Sequence, residues 1–386
     1  MRLIAEGALD NSNVEELAGR LGIGSRHLRR LFVKHLGASP IRIAITRRVH
    51  FARNLIEETA LPITELAAYA GFRSIRQFNH AVRTTTGESP TELRRLRSFS
   101  QVSKSGPGLL IRLPLRPPFH WPALLAFLSA RAVAGVELVR SGAYYRTIEI
   151  GGASGVIEIR HDEAERQLLA QIVLPGYEAL LQVVERVRRM FDLAADPFQI
   201  AAHLSRDANL RPSLEASPGL RVPGIWDGFE AAVRAVLGER LASKTPKPAL
   251  SRLVRKFGRP LEPSIAGLTH LFPSPQDLVE ADLAAAGIRS ESVATIRALA
   301  RAIANQDLTF DGSMNLEDAT ERVRVVRGIS EAMAHYIAMR AYGEPDAFPV
   351  PARSVARDTE AWRPWRAYAA MHLLGNAATN CAYNPR

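Results

Sequence analysis

Apolar residues recur along this chain with two different periods, and the change of period divides it. Through residues 1–97 they return every three or four positions, the spacing of helices that bury one face. Val14 to Leu21 and Ile63 to Ala70 read as short helices, each leading through a Gly-containing turn into a second helix. Ile41 to Glu58 reads as a longer helix, with Ile43, Val49, Ala52, Leu55 and Ile56 inward and Arg42, Arg47, Arg48 and Arg53 outward. Beyond residue 107 the period shortens. Leu109-x-Ile111-x-Leu113, Tyr144-x-x-x-Ile148-x-Ile150 and Ile157-x-Ile159 alternate as strands do, with helices predicted over Pro122 to Arg131 and Gly176 to Phe191. Further on, Phe229, Val233, Val236 and Leu237 form one apolar stripe, and Asp227 with Glu230 suits a capping box at the start of that helix. Residues 98–107, SFSQVSKSGP, have the Ser/Gly/Pro composition of a linker.

The first part contains a repeat. Leu17-Ala18-x-x-Leu21-Gly22 overlays Leu66-Ala67-x-x-Ala70-Gly71 at an offset of 49 residues, which places Ser25 on Ser74; after a one-residue slip Gly37-x-Ser39-Pro40 falls on Gly87-x-Ser89-Pro90. In both copies a serine hydroxyl is positioned to cap the second helix. That helix is polar and basic on one side: Ser25, Arg26, His27, Arg29 and Arg30 in the first copy, Arg73, Ser74, Arg76 and Gln77 in the second. Residues at the start of such a helix are the ones a helix-turn-helix presents to base edges in the major groove.

Charge sharpens this picture. Residues 1–105 hold 17 Lys+Arg against 9 Asp+Glu, so this quarter of the chain carries +8 of the net +11. A compact positive region attracts a polyanion by counterion release, which makes nucleic acid the first partner to consider. The single cysteine, Cys381, excludes an intrachain disulfide and any multi-cysteine zinc site, and fits a reducing cytoplasm. The most apolar region, Pro122 to Val139, is interrupted by Arg131 and Glu137, so no membrane span is expected.

The passage Ile63-x-x-Leu66-Ala67-x-x-Ala70-Gly71-Phe72-x-Ser74-x-x-x-Phe78, ending in Gly87-x-Ser89-Pro90, resembles the DNA-binding domain of AraC-type transcription regulators over about residues 1–97. Chains that join this domain to a glycosylase commonly begin with a cysteine-zinc alkyl-acceptor module. Here Met1 lies just before the first helix, and that module is expected to be absent. A second set of blocks runs in order along the rest. It comprises Gly219-Leu220-Arg221-Val222-Pro223-Gly224-x-Trp226-Asp227-Gly228-Phe229-Glu230, Phe272-Pro273-x-Pro275, Ala281-Asp282-Leu283, Val326-Arg327-Gly328-Ile329-Ser330, Asp346-Ala347-Phe348-Pro349 and Trp362-Arg363-Pro364-Trp365-Arg366-Ala367-Tyr368-Ala369. Together they resemble DNA-3-methyladenine glycosylase II, of the helix-hairpin-helix DNA glycosylase superfamily, over about residues 108–375.

The resemblance implies hydrolytic excision of alkylated purines from DNA without a cofactor or metal. Such chemistry needs a flipped nucleotide, aromatic faces for an electron-poor base, and a carboxylate to balance positive charge developing on the sugar. Arg327, Gly328, Ile329 and Ser330 form the phosphate-binding hairpin, with Ser330 in place of a second glycine and Arg327 in place of proline. The position of the family's catalytic aspartate is Ala352; the nearest acids that could replace it are Asp358 and Asp346. The usual tryptophan after the hairpin is Ala332, and the family's His-Leu-Trp reads His372-Leu373-Leu374. Where the family has Gly-Gln-Gln, this chain has Gly238-Glu239-Arg240; Glu239 would face phosphate unfavourably if it points at DNA, and Arg240 is the candidate wedge. Trp362 and Trp365 read as packing residues and His372 as a satisfied structural histidine.

The architecture expected is multidomain and mostly α: an all-α duplicated helix-turn-helix domain (1–97), a linker (98–107), a small α+β domain (108–205) and an all-α helix-hairpin-helix glycosylase domain (206–386). The function expected is that of a monomeric cytoplasmic protein that binds double-stranded DNA, combining transcription regulation with alkylation repair. The alternative is a catalytically inactive glycosylase relative acting as a transcription factor or damage-binding protein.

Overall fold

The computed structural model describes every residue except 1, 6, 10, 11, 60, 97–107, 240, 242–247, 266, 311–314, 351–358 and 375–386. The described residues form two compact units, one made of residues 1–112, 150–153 and 173–186 and the other of 113–149, 154–172 and 187–386.

In the first unit α1 (Arg2–Ala5), α2 (Val14–Arg20), α3 (Ser25–Leu36), α4 (Pro40–Glu58), α5 (Ile63–Tyr69), α6 (Ile75–Thr86) and α7 (Pro90–Leu96) follow one another. The long helix α4 starts where Ser39 accepts a hydrogen bond from the Arg42 N–H and Pro40 fills the first turn. It is the spine of the unit, packing against α1, α3, α5, α6 and α7. Because it is surrounded on most of its circumference, two arginines expected on its solvent face turn inward. Arg48 is buried, donates to the Leu9 carbonyl and lies over the Phe72 ring; Arg47 donates to the Ile4 carbonyl at 2.5 Å and sits 3.6 Å from Glu185. Both satisfy backbone acceptors that the covering segment brings over the helix. Arg42 and Arg53 are exposed as expected.

The rest of the chain has β1 (Leu109–Pro114), α8 (Trp121–Ser129), β2 (Glu137–Arg140), β3 (Ala143–Ile150), β4 (Ala153–Asp162), β5 (Gln167–Val173) and α9 (Leu180–Met190), followed by α10 (Pro197–Leu204) and α11 (Arg211–Ala216). The strands form one five-stranded antiparallel sheet in the order β1-β5-β4-β3-β2. Alternation located β1, β3 and β4 but not β2, which is four residues long, nor β5. The helical part continues through α12 (Gly228–Val236), α13 (Pro248–Phe257), a β6–β7 hairpin (Pro260–Ile265, Leu268–His270), α14 (Pro275–Leu278), α15 (Ser290–Ala304), α16 (Leu316–Arg324), α17 (Glu331–Ile337) and α18 (Arg366–Leu374).

Helix α12 is central to this part and packs against α15 and α17. Its predicted apolar stripe understates its burial, since every residue from Phe229 to Val236 is buried, including Glu230 and Arg234. Asp227 does cap the helix, accepting from the Phe229 and Glu230 N–H groups, but Glu230 does not close a capping box. Its carboxylate is drawn instead to Arg146 Nη2 at 2.9 Å and Arg234 Nε at 3.0 Å. Arg234 also pairs with Glu137 and lies 3.3 Å from Glu239, while Tyr144 donates to Glu137 at 2.7 Å. Burial alone would push the Glu230 carboxyl up; Arg146 and Arg234 reverse this and hold it well below the usual carboxylate range. Glu137, Tyr144 and Arg146 belong to the sheet, so this network joins the sheet to α12. Removing one charge from such a group strands the others, at a cost of about 3–5 kcal/mol. Glu230→Gln is therefore expected to lower the unfolding free energy by about 3 kcal/mol in urea titration; a loss below about 1 kcal/mol would show that the network is not a structural tie.

Candidate nucleic-acid interface

The two helix-turn-helix copies are related less simply than the sequence suggests. Helices α2 and α5 correspond at an offset of 49 residues, but α3 and α6 correspond at 50, because the turn ahead of α3 is one residue shorter. The cap ahead of α3 is consequently Gly24, with no side-chain hydrogen bond, and Ser25 is already helical. The expected Ser25 cap is thus absent, whereas Ser74 does cap α6, accepting from the Gln77 N–H at 3.2 Å. Both helices bury a residue at the equivalent position, Leu28 and Phe78, with Ala81 and Val82 also buried in α6, and each ends in a left-handed glycine, Gly37 and Gly87. Arg26, His27, Arg29 and Arg30 of the first copy are exposed, as are Arg73, Ser74, Arg76 and Gln77 of the second; Ser25 is half-buried. Arg29 donates to Glu15 at 2.7 Å and Arg30 to His27 Nδ1 at 2.9 Å.

The hairpin lies between α16 and α17. Ser330 is the N-cap of α17 and accepts from the Met333 N–H at 3.3 Å, so serine substitutes here for a glycine by capping the helix. Gly328 has φ +97°, and a Cβ there would fall on Thr295 Oγ1 of α15. Glycine is therefore required both by backbone conformation and by the neighbouring helix. Ile329 is buried and holds the hairpin down, while Arg327 and Gly328 are exposed at its tip.

Glu239 does not face solvent or phosphate. It is 1 % exposed, accepts from the Tyr336 hydroxyl and lies 3.6 Å from Arg340 Nη1. Two arginines flank the Phe127 ring nearby, with Arg131 at 3.6 Å and Arg340 at 5.1 Å from its centroid. Burial pulls Arg131 down to about 10. Two guanidiniums and a phenol, from Arg234, Arg340 and Tyr336, draw the carboxylate inward and away from any DNA-facing position. Ala332 stands one helical turn before Tyr336 and is half-buried.

Asp346 is engaged on both oxygens. Arg366 Nε and Nη2 reach it at 2.8 and 2.9 Å, a bidentate pair, and Arg363 Nη1 lies at 3.3 Å. The same stretch is held by the Phe348 N–H donating to His335 Nδ1 at 3.2 Å and by Phe348 packing on Trp362, whose ring centroid is 5.9 Å away. Trp362 is buried and donates its indole N–H to Asp207 at 2.9 Å; Trp365 is half-buried against Tyr368. Ala352, Asp358 and Arg240 lie outside the described residues, as do residues 98–107, Cys381 and the side chain of Leu374. Thr295 behind Gly328, Glu15 beside Arg29, and the Tyr336–Arg340 pair around Glu239 had no signature in sequence spacing. Only Glu15, on the polar side of an amphipathic helix, lay close enough along the chain to be noticed.

A duplicated helix-turn-helix and a helix-hairpin-helix body define a DNA-acting protein of the glycosylase class. Comparison with known proteins narrows this. The AlkA N-terminal domain matches residues 110–227 and a helix-turn-helix domain matches residues 17–96. A Mycobacterium tuberculosis protein described as a probable bifunctional transcriptional activator/DNA repair enzyme AlkA is 37 % identical over 97 % of this chain and 78 % of its own length. The Escherichia coli DNA-3-methyladenine glycosylase 2 is 30 % identical over 67 % of this chain and 94 % of its own. In fold, the 3-methyladenine DNA-glycosylase of Archaeoglobus fulgidus superposes with a TM-score of 0.59 at 16 % identity, covering 70 % of this chain and 99 % of the other. The chain belongs to the family of AlkA-type bifunctional transcriptional activator/DNA repair proteins, homologous to AlkA-type DNA glycosylases and AraC-type regulators.

Two outcomes follow from this geometry. Gly328→Ala is expected to lower the unfolding free energy by about 2 kcal/mol, since strain at positive φ and a steric clash combine, and to weaken duplex binding; unchanged thermal stability would refute the close approach to Thr295. His372 is buried, and burial holds its imidazole down at about 4, with Ser213 Oγ 3.1 Å from Nδ1. A depressed folded-state value means stability present above the unfolded value near 6.5 and lost as pH falls through about 4. The melting temperature should drop across that window, and His372→Gln should flatten the drop; an unaltered profile would count against the assignment.

Proposed function

We propose that this protein reads duplex DNA with residues 1–97 and recognises alkylated purines with residues 108–205 and 206–386, excising them by hydrolysis. It acts in this reading as a monomer in the cytoplasm; no helix among the described residues is long and apolar enough to cross a membrane. The observation that carries the DNA-binding half is the pair of exposed basic helix starts at α3 and α6 in the unit that holds most of the net charge. The excision half is supported by the hairpin, in which Gly328 and capped Ser330 keep the turn tight with Arg327 at its tip. Similarity to the mycobacterial DNA repair enzyme and to the Escherichia coli DNA-3-methyladenine glycosylase 2 adds to it.

In the reaction, water adds to the sugar C1′ and gives up a proton to solvent, while the C1′–N bond breaks with its electron pair going to the base. An alkyl group at N3 or N7 of a purine puts positive charge on the ring, so the base departs neutral and the bond is weak before any protein group acts. This lowers the demand on a carboxylate, which matters because the family's aspartate position is Ala352 and Asp346 is bound to Arg366 and Arg363. The test is release of 3-methyladenine from methylated duplex by the purified full chain. Release above the spontaneous rate is expected, with Asp346→Asn lowering thermal stability more than turnover per folded molecule; release no faster than in buffer would leave a damage-binding regulator without hydrolysis.

A further inference from the structure

Among the differences between the two helix-turn-helix copies is one pair of charged residues. Arg29 of α3 is exposed beside buried Leu28, and its guanidinium is held at two points. Nη2 donates to Glu15 Oε1 of α2 at 2.7 Å and Nη1 to Ser25 Oγ at 3.4 Å. With helices aligned by their buried anchors, Glu15 corresponds to Thr64 and Arg29 to Asn79, so the second copy lacks both charges. The pair is present or replaced as a unit.

A stabilising role explains this poorly. Glu15 and Arg29 side chains are 58 % and 45 % exposed, and an ion pair that open to water adds little to stability. Orientation is another matter. A free arginine loses side-chain entropy when it docks, whereas one fixed by a carboxylate on one edge has already lost it. Two of the five guanidinium N–H groups are engaged here, which leaves enough for a two-bond fork. Two acceptors side by side on one base edge, O6 and N7, are what guanine presents in the major groove.

We propose that Glu15 is a positioning residue that holds Arg29 to read one guanine, making α3 a guanine-selective reader while α6 reads its bases through a different set of side chains. The inference rests on the duplex-reading function proposed for residues 1–97. It is tested with the full-length protein and a randomised duplex library, from which bound sequences are selected and counted. Wild-type protein is expected to enrich a site containing one near-invariant guanine, and replacement of that base by 7-deazaguanine, which removes N7, to weaken binding about tenfold. Glu15→Gln should lose most of that preference and most of the 7-deazaguanine effect, while its affinity for unselected duplex and its salt dependence stay within about twofold of wild type. Arg29→Lys, which keeps the charge without the fork, should lose the same guanine. A Glu15→Gln protein that keeps the guanine preference, or that binds every duplex more tightly by the same factor, would overturn the proposal and leave duplex reading intact. Wild-type protein that binds duplex but enriches no guanine would overturn it as well, and failure to bind any duplex would remove the reading on which it stands.

Discussion

Charge buried on helix α12 constrains everything around it. A helix exposed on one side can keep its charged residues in water; α12 has no such side, so Glu230 and Arg234 need partners wherever the chain can supply them. Those partners come from the sheet, as Arg146 and Glu137, and from the turn beyond the helix, as Glu239. The sheet thus does more than shield apolar surface. Its strands carry the counter-charges without which the helix could not be buried, and the pairing fixes one register between them. Arg131 and Arg340 extend the same chemistry across the Phe127 ring to Tyr336 on α17, the helix that the hairpin starts. The position of the hairpin relative to α12 is in this way set by ionic as well as apolar contacts.

How much of this could be read from sequence depended on the range of the interaction. Helices α2, α4, α5 and the strands β1, β3 and β4 followed from periodicity, because burial of one face leaves its spacing in the chain. The hairpin was legible from local residues, since Gly328 and Ser330 meet requirements of backbone conformation and capping that act within a few positions. The inward turn of Arg47, Arg48 and Glu239 was not legible. Each is drawn in by a partner at a distance in sequence, and an amphipathic pattern assigns charge to the outside by default. The Ser25 cap failed for a smaller reason: the overlay of the two copies put the one-residue slip after the second helix's start, whereas it falls in the turn before it.

The site expected to supply chemistry is organised mainly for holding shape. Asp346, a carboxylate in the approach to the expected aspartate position, binds a guanidinium bidentately and is flanked by a second. Nearby, His335 accepts a backbone N–H and Trp362 donates to a carboxylate, so these polar groups are engaged within the fold.

The shorter turn ahead of α3 has a consequence for the DNA that this protein can recognise. Two copies of one motif joined by a fixed helix would ordinarily favour a site written twice in the same orientation. Here one turn has been cut, one cap changed from serine to glycine, and one ion pair kept on one side only. The duplication survives as architecture, while its two reading helices no longer present matched side chains.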